Sequence, residues 1–213
     1  MKLNGDKFEH LHVGHNLHQI RSRYTDPAGN MIVEKEHIKD LGVTLSNRLT
    51  WTRHIEEVIS KARIMSSWAL RTFTTRKKEP MSTIWNSQVR PVLDYCSPLW
   101  SPCPTDFKNL DLLEGVQRSF TRRIEGMEGL NYAERLKELK MNSVQRKQER
   151  YKIIYIYKIK EQLVPNISDT HGLHFSQRGR QYLPTKYALA YIVRYLALQT
   201  PKHTCQLSTL WHI

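Results

Sequence analysis

Between Ser87 and Pro102 the chain carries Pro91, Pro98 and Pro102, three of its nine prolines, within sixteen residues. A proline inside a helix removes a backbone donor and presses its ring against the preceding turn, at a cost of about 3 kcal/mol. No single helix is therefore expected to pass through this stretch, although helical patterns enter it and leave it. It reads as a hinge between two basic helical segments, with Tyr95, Leu99 and Trp100 packing rather than binding.

Ahead of the hinge the pattern changes once. Residues 7–46 read as extended, beginning with a short strand candidate from Lys7 to Gly14. Tyr24-Thr25-Asp26-Pro27-Ala28-Gly29-Asn30 is rich in turn formers and lies between Ile20 and Met31-Ile32-Val33, which makes a hairpin. Ile38 to Leu45 reads as one further strand. Short strands in this number bury little alone, so the region looks like the edge of something larger. After Leu49, the residues Ile55, Val58, Ala62, Met65, Ala69 and Phe73 recur at spacings of three and four, which is one face of a helix. Thr50 or Thr52 is placed to cap it, Glu56 and Glu57 to occupy its first turn, and Arg76-Lys77-Lys78 to suit its end. Met81 to Val89 forms a short helix that Pro91 interrupts or bends.

Beyond the hinge, Phe107, Leu110, Leu113, Val116, Phe120 and Ile124 predict a helix over 105–124, closed by Gly126 and Gly129. Asn131 and Glu134 stand at capping-box spacing and open a short helix through Leu139. Ser143 caps the next, whose apolar stripe is Val144, Tyr151, Ile154, Tyr155, Ile159 and Leu163, stopped at Val164-Pro165-Asn166. Past Pro165 the pattern lapses into a basic stretch, Ser176 to Arg180, and a last helix from Tyr187 to Leu198. The fold class that follows is mainly α, with a small β-hairpin and strand region at 1–47, a helical bundle at 48–165 and an irregular tail at 166–213.

Charge narrows the partners. The formal net charge is +13 and the isoelectric point about 9.8, a balance that favours a polyanion, nucleic acid more often than an anionic membrane surface. Residues 48–80 carry eight Lys or Arg against three Glu, and residues 135–160 nine against two, so nearly all of the excess lies on two helical segments. No apolar run approaches the roughly 20 residues that span a bilayer. The first residues hold no apolar core of a signal peptide, and three cysteines suit a reducing compartment. A soluble intracellular protein with no membrane partner is expected.

Catalytic patterns are missing. Two-metal chemistry needs carboxylates that hold ions about 4 Å apart. Here Asp6, Asp26, Asp40, Asp94, Asp106, Asp111 and Asp169 all stand alone, and Glu56-Glu57 are helix neighbours that point apart. There is no glycine-rich phosphate loop and no Gly-x-Ser-x-Gly elbow. Cys96 with Cys103, and His203 with Cys205, lack zinc spacing, and of His10, His12, His15 and His18 only alternate ones share a strand face. No catalytic residue, metal or cofactor is expected. Trp51, Trp68, Trp85 and Trp100 are able to stack on bases, yet aromatics at helical spacing are more often core.

A series of motifs runs in order along residues 7–166. It comprises Lys7-Phe8-Glu9, Lys39-Asp40-Leu41-Gly42-Val43, Leu49-Thr50-Trp51-Thr52-Arg53-His54-Ile55 and Val89-Arg90-Pro91-Val92-Leu93-Asp94-Tyr95-Cys96-Ser97-Pro98-Leu99-Trp100. Leu113-Glu114-Gly115-Val116-Gln117-Arg118, Phe120-Thr121-Arg122-Arg123-Ile124, Arg150-Tyr151 and Leu163-Val164-Pro165-Asn166 follow. The series resembles the C-terminal part of the polyprotein of jockey-type non-LTR retrotransposons, beyond the catalytic motif of the reverse transcriptase. The resemblance implies RNA-directed DNA polymerase ancestry, with 1–47 as the edge of the palm and 48–165 as a thumb. The family's Tyr/Phe-Ala-Asp-Asp motif, whose aspartates hold Mg²⁺ in the intact enzyme, would lie ahead of residue 1. Arg178-Gly179-Arg180 still looks like the family, but its Gly-Pro and Trp-Asn-x-Leu-Pro ending is not visible from about Pro184 onward.

The reading that results is a non-catalytic remnant of a reverse transcriptase. It would bind RNA or an RNA–DNA duplex through backbone phosphates, without sequence preference and in a salt-sensitive way. Arg118 with Arg122 and Arg123 is the first candidate group, followed by Lys61, Arg63, Arg71, Arg76, Lys77, Lys78, Arg146, Lys147 and Arg150. The other reading is a basic helical protein-interaction module, or a truncated product without function. Its stripes at Ile55–Phe73 and Val144–Leu163 would then face an absent partner such as the palm.

Overall fold

The structure, a computed structural model, describes residues 7–13, 23–26, 28–161 and 163–164. It is mainly helical with a two-stranded antiparallel sheet near the N-terminus, the class that the periodicities predict. The readings that rest on Gly14, His15, His18, Ile20, Pro27, Pro165, Asn166, the 176–180 stretch, the 187–198 helix, His203 and Cys205 lie outside the described residues.

Asp26 builds the first turn. Its carboxylate accepts the amides of Ala28 at 2.9 Å and Asn30 at 2.8 Å, and Thr25 pairs with Met31 in a single antiparallel bridge. Residues 7–13 hold one parallel bridge, from His10 to Glu34, in place of the expected strand. The stretch read as a single strand is two, β1 (His37–Asp40) and β2 (Val43–Ser46), paired antiparallel. Leu41 at φ 45° and Gly42 at φ 83° fold it back on itself. A two-residue turn with positive φ at both positions matches the twist of the strands, and glycine enters that region without strain.

Helix α1 (Thr52–Thr72) buries Ile55, Val58, Ile59, Ala62, Ala69 and Leu70 and leaves Phe73 beyond its end exposed. Neither threonine caps it. Trp51 holds the cap position without a side-chain bond, and Ser46 of β2 takes the Thr50 amide on its Oγ at 2.8 Å. The hairpin thus fastens the residue ahead of the helix and occupies the Thr50 hydroxyl at 3.0 Å, while the helix itself has no side-chain cap. Glu56 and Glu57 fall past the first turn, where Glu57 accepts from Thr44 Oγ1 at 2.9 Å and pairs with Lys39 at 3.5 Å. At the other end Arg76 reaches back and donates to the carbonyls of Leu70 and Phe73.

Pro91 does not end the helix; a π turn ahead of it interrupts the α geometry instead. Helix α2 (Lys78–Ile84), a π turn (Trp85–Val89) and helix α3 (Arg90–Asp94) form one continuous run. The amide of Arg90 reaches the carbonyl of Trp85, five residues back. An inserted residue widens the turn ahead of the proline ring and relieves the clash that an α-helix would impose. Cys96 then turns the chain at φ 52°, and Pro98 sits in the first turn of α4 (Ser97–Trp100), where a missing amide removes no helical bond. The stretch is core rather than hinge, since Trp85, Val89, Leu93, Leu99 and Trp100 are fully buried. Tyr95 is the exception to the expected packing: its ring is exposed and its hydroxyl donates to the carbonyl of Leu41 at 2.8 Å.

Helix α5 (Phe107–Thr121) starts from Asp106, which accepts the Asn109 amide at 3.2 Å. Leu113, Val116 and Phe120 face the core as predicted, while Phe107, the first residue of the helix, is 76% exposed. Each fully buried side chain of this size contributes about 1.5–3 kcal/mol. Both halves of the predicted capping box are present at α6 (Tyr132–Glu138), and Ser143 caps α7 (Val144–Lys160) by accepting the Arg146 amide at 3.1 Å. α7 braces the proline-rich stretch: Gln148 donates to the Leu93 carbonyl at 3.0 Å and Lys152 to those of Ser101 and Pro102 at 3.2 Å. Its apolar stripe is only partly covered, because Ile154 and Leu163 are exposed.

Candidate nucleic-acid interface

α5 turns its apolar face inward, so Gly115 and Ser119 come to the surface, where their small side chains leave a depression. Between α5 and α6 this forms a concavity of about 790 Å³ into which Arg118, Arg122, Arg123 and Arg135 all open. The carboxylate on its lining is Glu128. A second, smaller concavity of about 510 Å³ lies between α1 and α5 and is lined by Arg63 and Arg71 with Ile64 and Leu112, and by one carboxylate, Glu56. The Glu125 amide donates to the Arg76 carbonyl at 2.9 Å, so the chain leaving α5 runs beside the chain leaving α1.

The four arginines of the larger groove are held differently. Arg118 pairs with Asp111 at 2.8 Å, a contact that raises its pKa, and its guanidinium lies 5.6 Å from the centre of the Tyr132 ring. Arg135 is 6% exposed and lies 5.7 Å from the same ring. It donates to the carbonyls of Leu130 at 3.1 Å and Arg118 at 3.4 Å, which ties α6 to the last turn of α5. Its buried Nε has no partner among the described residues. The Tyr132 hydroxyl donates to Glu114, and burial together with that carboxylate pushes its pKa well above the phenol range. Glu114 also accepts the amides of Val144 and Gln145 at 3.2 Å, so one carboxylate joins the groove to the start of α7. Arg122 and Arg123 are exposed, and their side chains pair with no carboxylate among the described residues.

The predicted residues therefore separate. Arg118, Arg122 and Arg123 come together as expected, and Arg63 and Arg71 share the second groove. Lys61 and Lys77 are exposed outside both, as are Arg146 and Arg150 on α7. Arg76 is taken up by the end of α1, Lys78 by Glu138 at 2.5 Å and Lys147 by Asp94 at 3.6 Å and the Tyr151 ring. Arg135 joins the group without having been singled out. The capping box signalled it, because a cap at Asn131 places residue 135 one turn into a short helix, on the side that meets α5.

Other polar clusters are structural. Arg90 is 4% exposed, bonded to Asp94 at 3.0 Å and to the Asn142 carbonyl at 3.3 Å. His54 accepts the Thr44 amide on Nδ1 at 3.2 Å and meets the Trp100 ring edge to face at 5.2 Å. Burial lowers its pKa; Glu57 opposes the shift, and Lys61 and Lys39 add to it. Burial raises the pKa of the half-buried Cys96 thiol. Among the described residues no three of His, Cys, Asp and Glu are grouped to hold a metal ion, and no helix is long and apolar enough to cross a membrane. No protein-family model, no curated protein and no solved structure matches the chain.

Proposed function

We propose that this protein binds the backbone of RNA or of an RNA–DNA duplex at the α5–α6 groove, without sequence preference and without catalysis of its own. The observation that carries the reading is the state of Arg122 and Arg123, two exposed guanidiniums without carboxylate partners among the described residues. They stand beside Arg118 and Arg135 in a groove where Glu128 is the opposing charge. Guanidiniums hold phosphate oxygens through paired, charge-assisted bonds, and each phosphate neutralised releases a condensed counterion. The motif series adds ancestry: a remnant of a non-LTR retrotransposon reverse transcriptase, working in an intracellular, reducing compartment.

The test is a salt titration of binding to a labelled RNA–DNA duplex, followed by fluorescence anisotropy. The logarithm of affinity is expected to fall with the logarithm of salt at a slope of about −0.9 per phosphate held on a duplex. A slope near zero between low and physiological salt sinks the reading. Primer extension with Mg²⁺ is expected to yield no product, and product from the chain alone would overturn the non-catalytic part. A protein-interaction module is the second reading, favoured by the exposed Ile153, Ile154 and Tyr157 on α7. Self-association in size-exclusion chromatography without nucleic-acid binding would select it.

A further inference from the structure

The outward face of α1 carries two parallel rows. Arg63 and Arg71 stand in one, at the rim of the α1–α5 groove, and Ile64 and Trp68 in the next. Residues four apart on a helix lie one above the other, so Ile64 and Trp68 form a continuous apolar strip. Trp68 is 43% exposed, unlike the fully buried Trp85 and Trp100, and the exposed ring of Phe73 meets it edge to face at 6.1 Å. Arg71 donates its Nε to the Ser67 carbonyl at 3.3 Å, which fixes the stem of this exposed side chain. An aromatic face set beside a row of cations suits an unpaired nucleic-acid strand, with bases on the rings and phosphates on the arginines. A paired helix keeps its base faces stacked on one another and offers none to Trp68. A protein partner fits less well, because it would have to match the arginines as well as the apolar strip. The chains leaving α1 and α5 run side by side, so the end of α1 lies near the segment that follows Arg122 and Arg123.

We infer that Trp68, backed by Phe73 and flanked by Arg63 and Arg71, is a stacking site for an unpaired base of a nucleic-acid strand. The inference rests on the nucleic-acid reading above and adds to it a single-stranded ligand. The experiment compares the full chain with Trp68→Leu, Trp68→Phe and an Arg122→Ala/Arg123→Ala pair, using a short single-stranded oligouridylate and an RNA–DNA duplex. Trp68→Leu, which keeps apolar bulk but removes the π face, is expected to weaken the single-stranded probe about tenfold and leave the duplex unchanged. Trp68→Phe is expected to recover most of that loss while abolishing the tryptophan quenching that the single strand produces. Equal losses for Leu and Phe, or no loss for either, overturn the stacking site. If Trp68→Leu instead removes self-association and spares RNA binding, the face docks protein and the inference fails. Failure of the arginine pair to change binding to either probe strikes the nucleic-acid reading itself, so the two failures are distinguishable. Trp68 is on the surface, and a thermal melt identical to that of the unaltered chain verifies that the variants fold.

Discussion

Arg90 and the pair Arg122–Arg123 are the same side chain in opposite circumstances. Around Arg90 the chain supplies Asp94 one turn ahead, the Asn142 carbonyl and a covering of apolar residues, so the charge is cancelled within the core. Past the end of α5, Glu125 and Glu128 follow closely in sequence, yet neither pairs with Arg122 or Arg123 among the described residues, and the two guanidiniums remain exposed. Arg118 lies between these extremes, exposed yet paired with Asp111. What separates a structural arginine from one available to a ligand is the local count of acceptors, not the number of positive charges in the segment.

Arg90→Ala leaves the part-buried Asp94 with Lys147 as its remaining cation and is expected to cost about 2 kcal/mol, read as a lower urea midpoint, with duplex affinity per folded molecule unchanged. Arg122→Ala with Arg123→Ala is expected to do the reverse. The unfolding free energy from urea melts should stay within about 0.5 kcal/mol, while the salt slope of binding becomes shallower by about 2. Asn131→Ala removes the cap of α6 at about 1 kcal/mol, and because α6 presents Arg135 and Tyr132, binding should weaken alongside stability. An unfolding midpoint that falls without any change in affinity would detach α6 from the interface. The smallest effect is a pH dependence. The pKa of His54 is depressed in the folded state, so its contribution is fully present above the unfolded value of 6.5 and is lost as pH falls towards the lowered one. His54→Asn, which keeps an acceptor for the Thr44 amide, is expected to flatten that acid decline in urea midpoints measured across the range.

Much of the helical frame was legible. The spacing of Leu113, Val116 and Phe120 marked α5, and Asn131 with Glu134 and Ser143 marked the starts of α6 and α7, because caps and periodicity are local properties of the chain. The hairpin at Leu41–Gly42 was hidden, since Leu41 is no usual residue for positive φ and the flanking run reads equally well as one strand. The absence of a threonine cap on α1 was hidden too, because the Thr50 hydroxyl is taken up by Ser46, which belongs to another element. The arginines show the limit most clearly. Arg76 and Arg122 look alike in sequence, yet one closes the end of a helix and the other faces solvent, and only distances separate them.

The π turn ahead of Pro91 sets the phase of everything that follows it. One surplus residue turns the side chains of Arg90 to Asp94 by about 100° relative to those of Lys78 to Ile84. That offset brings Arg90 and Leu93 inward and carries Pro91 to the surface. Asn86, Ser87 and Gln88 within the turn are all exposed, so their identities are open to exchange. Their number is not. Loss of a single codon among them would rotate the buried ion pair towards solvent and press the proline ring back onto the helix. A segment that tolerates nearly any spelling is, for that reason, intolerant of any change in length.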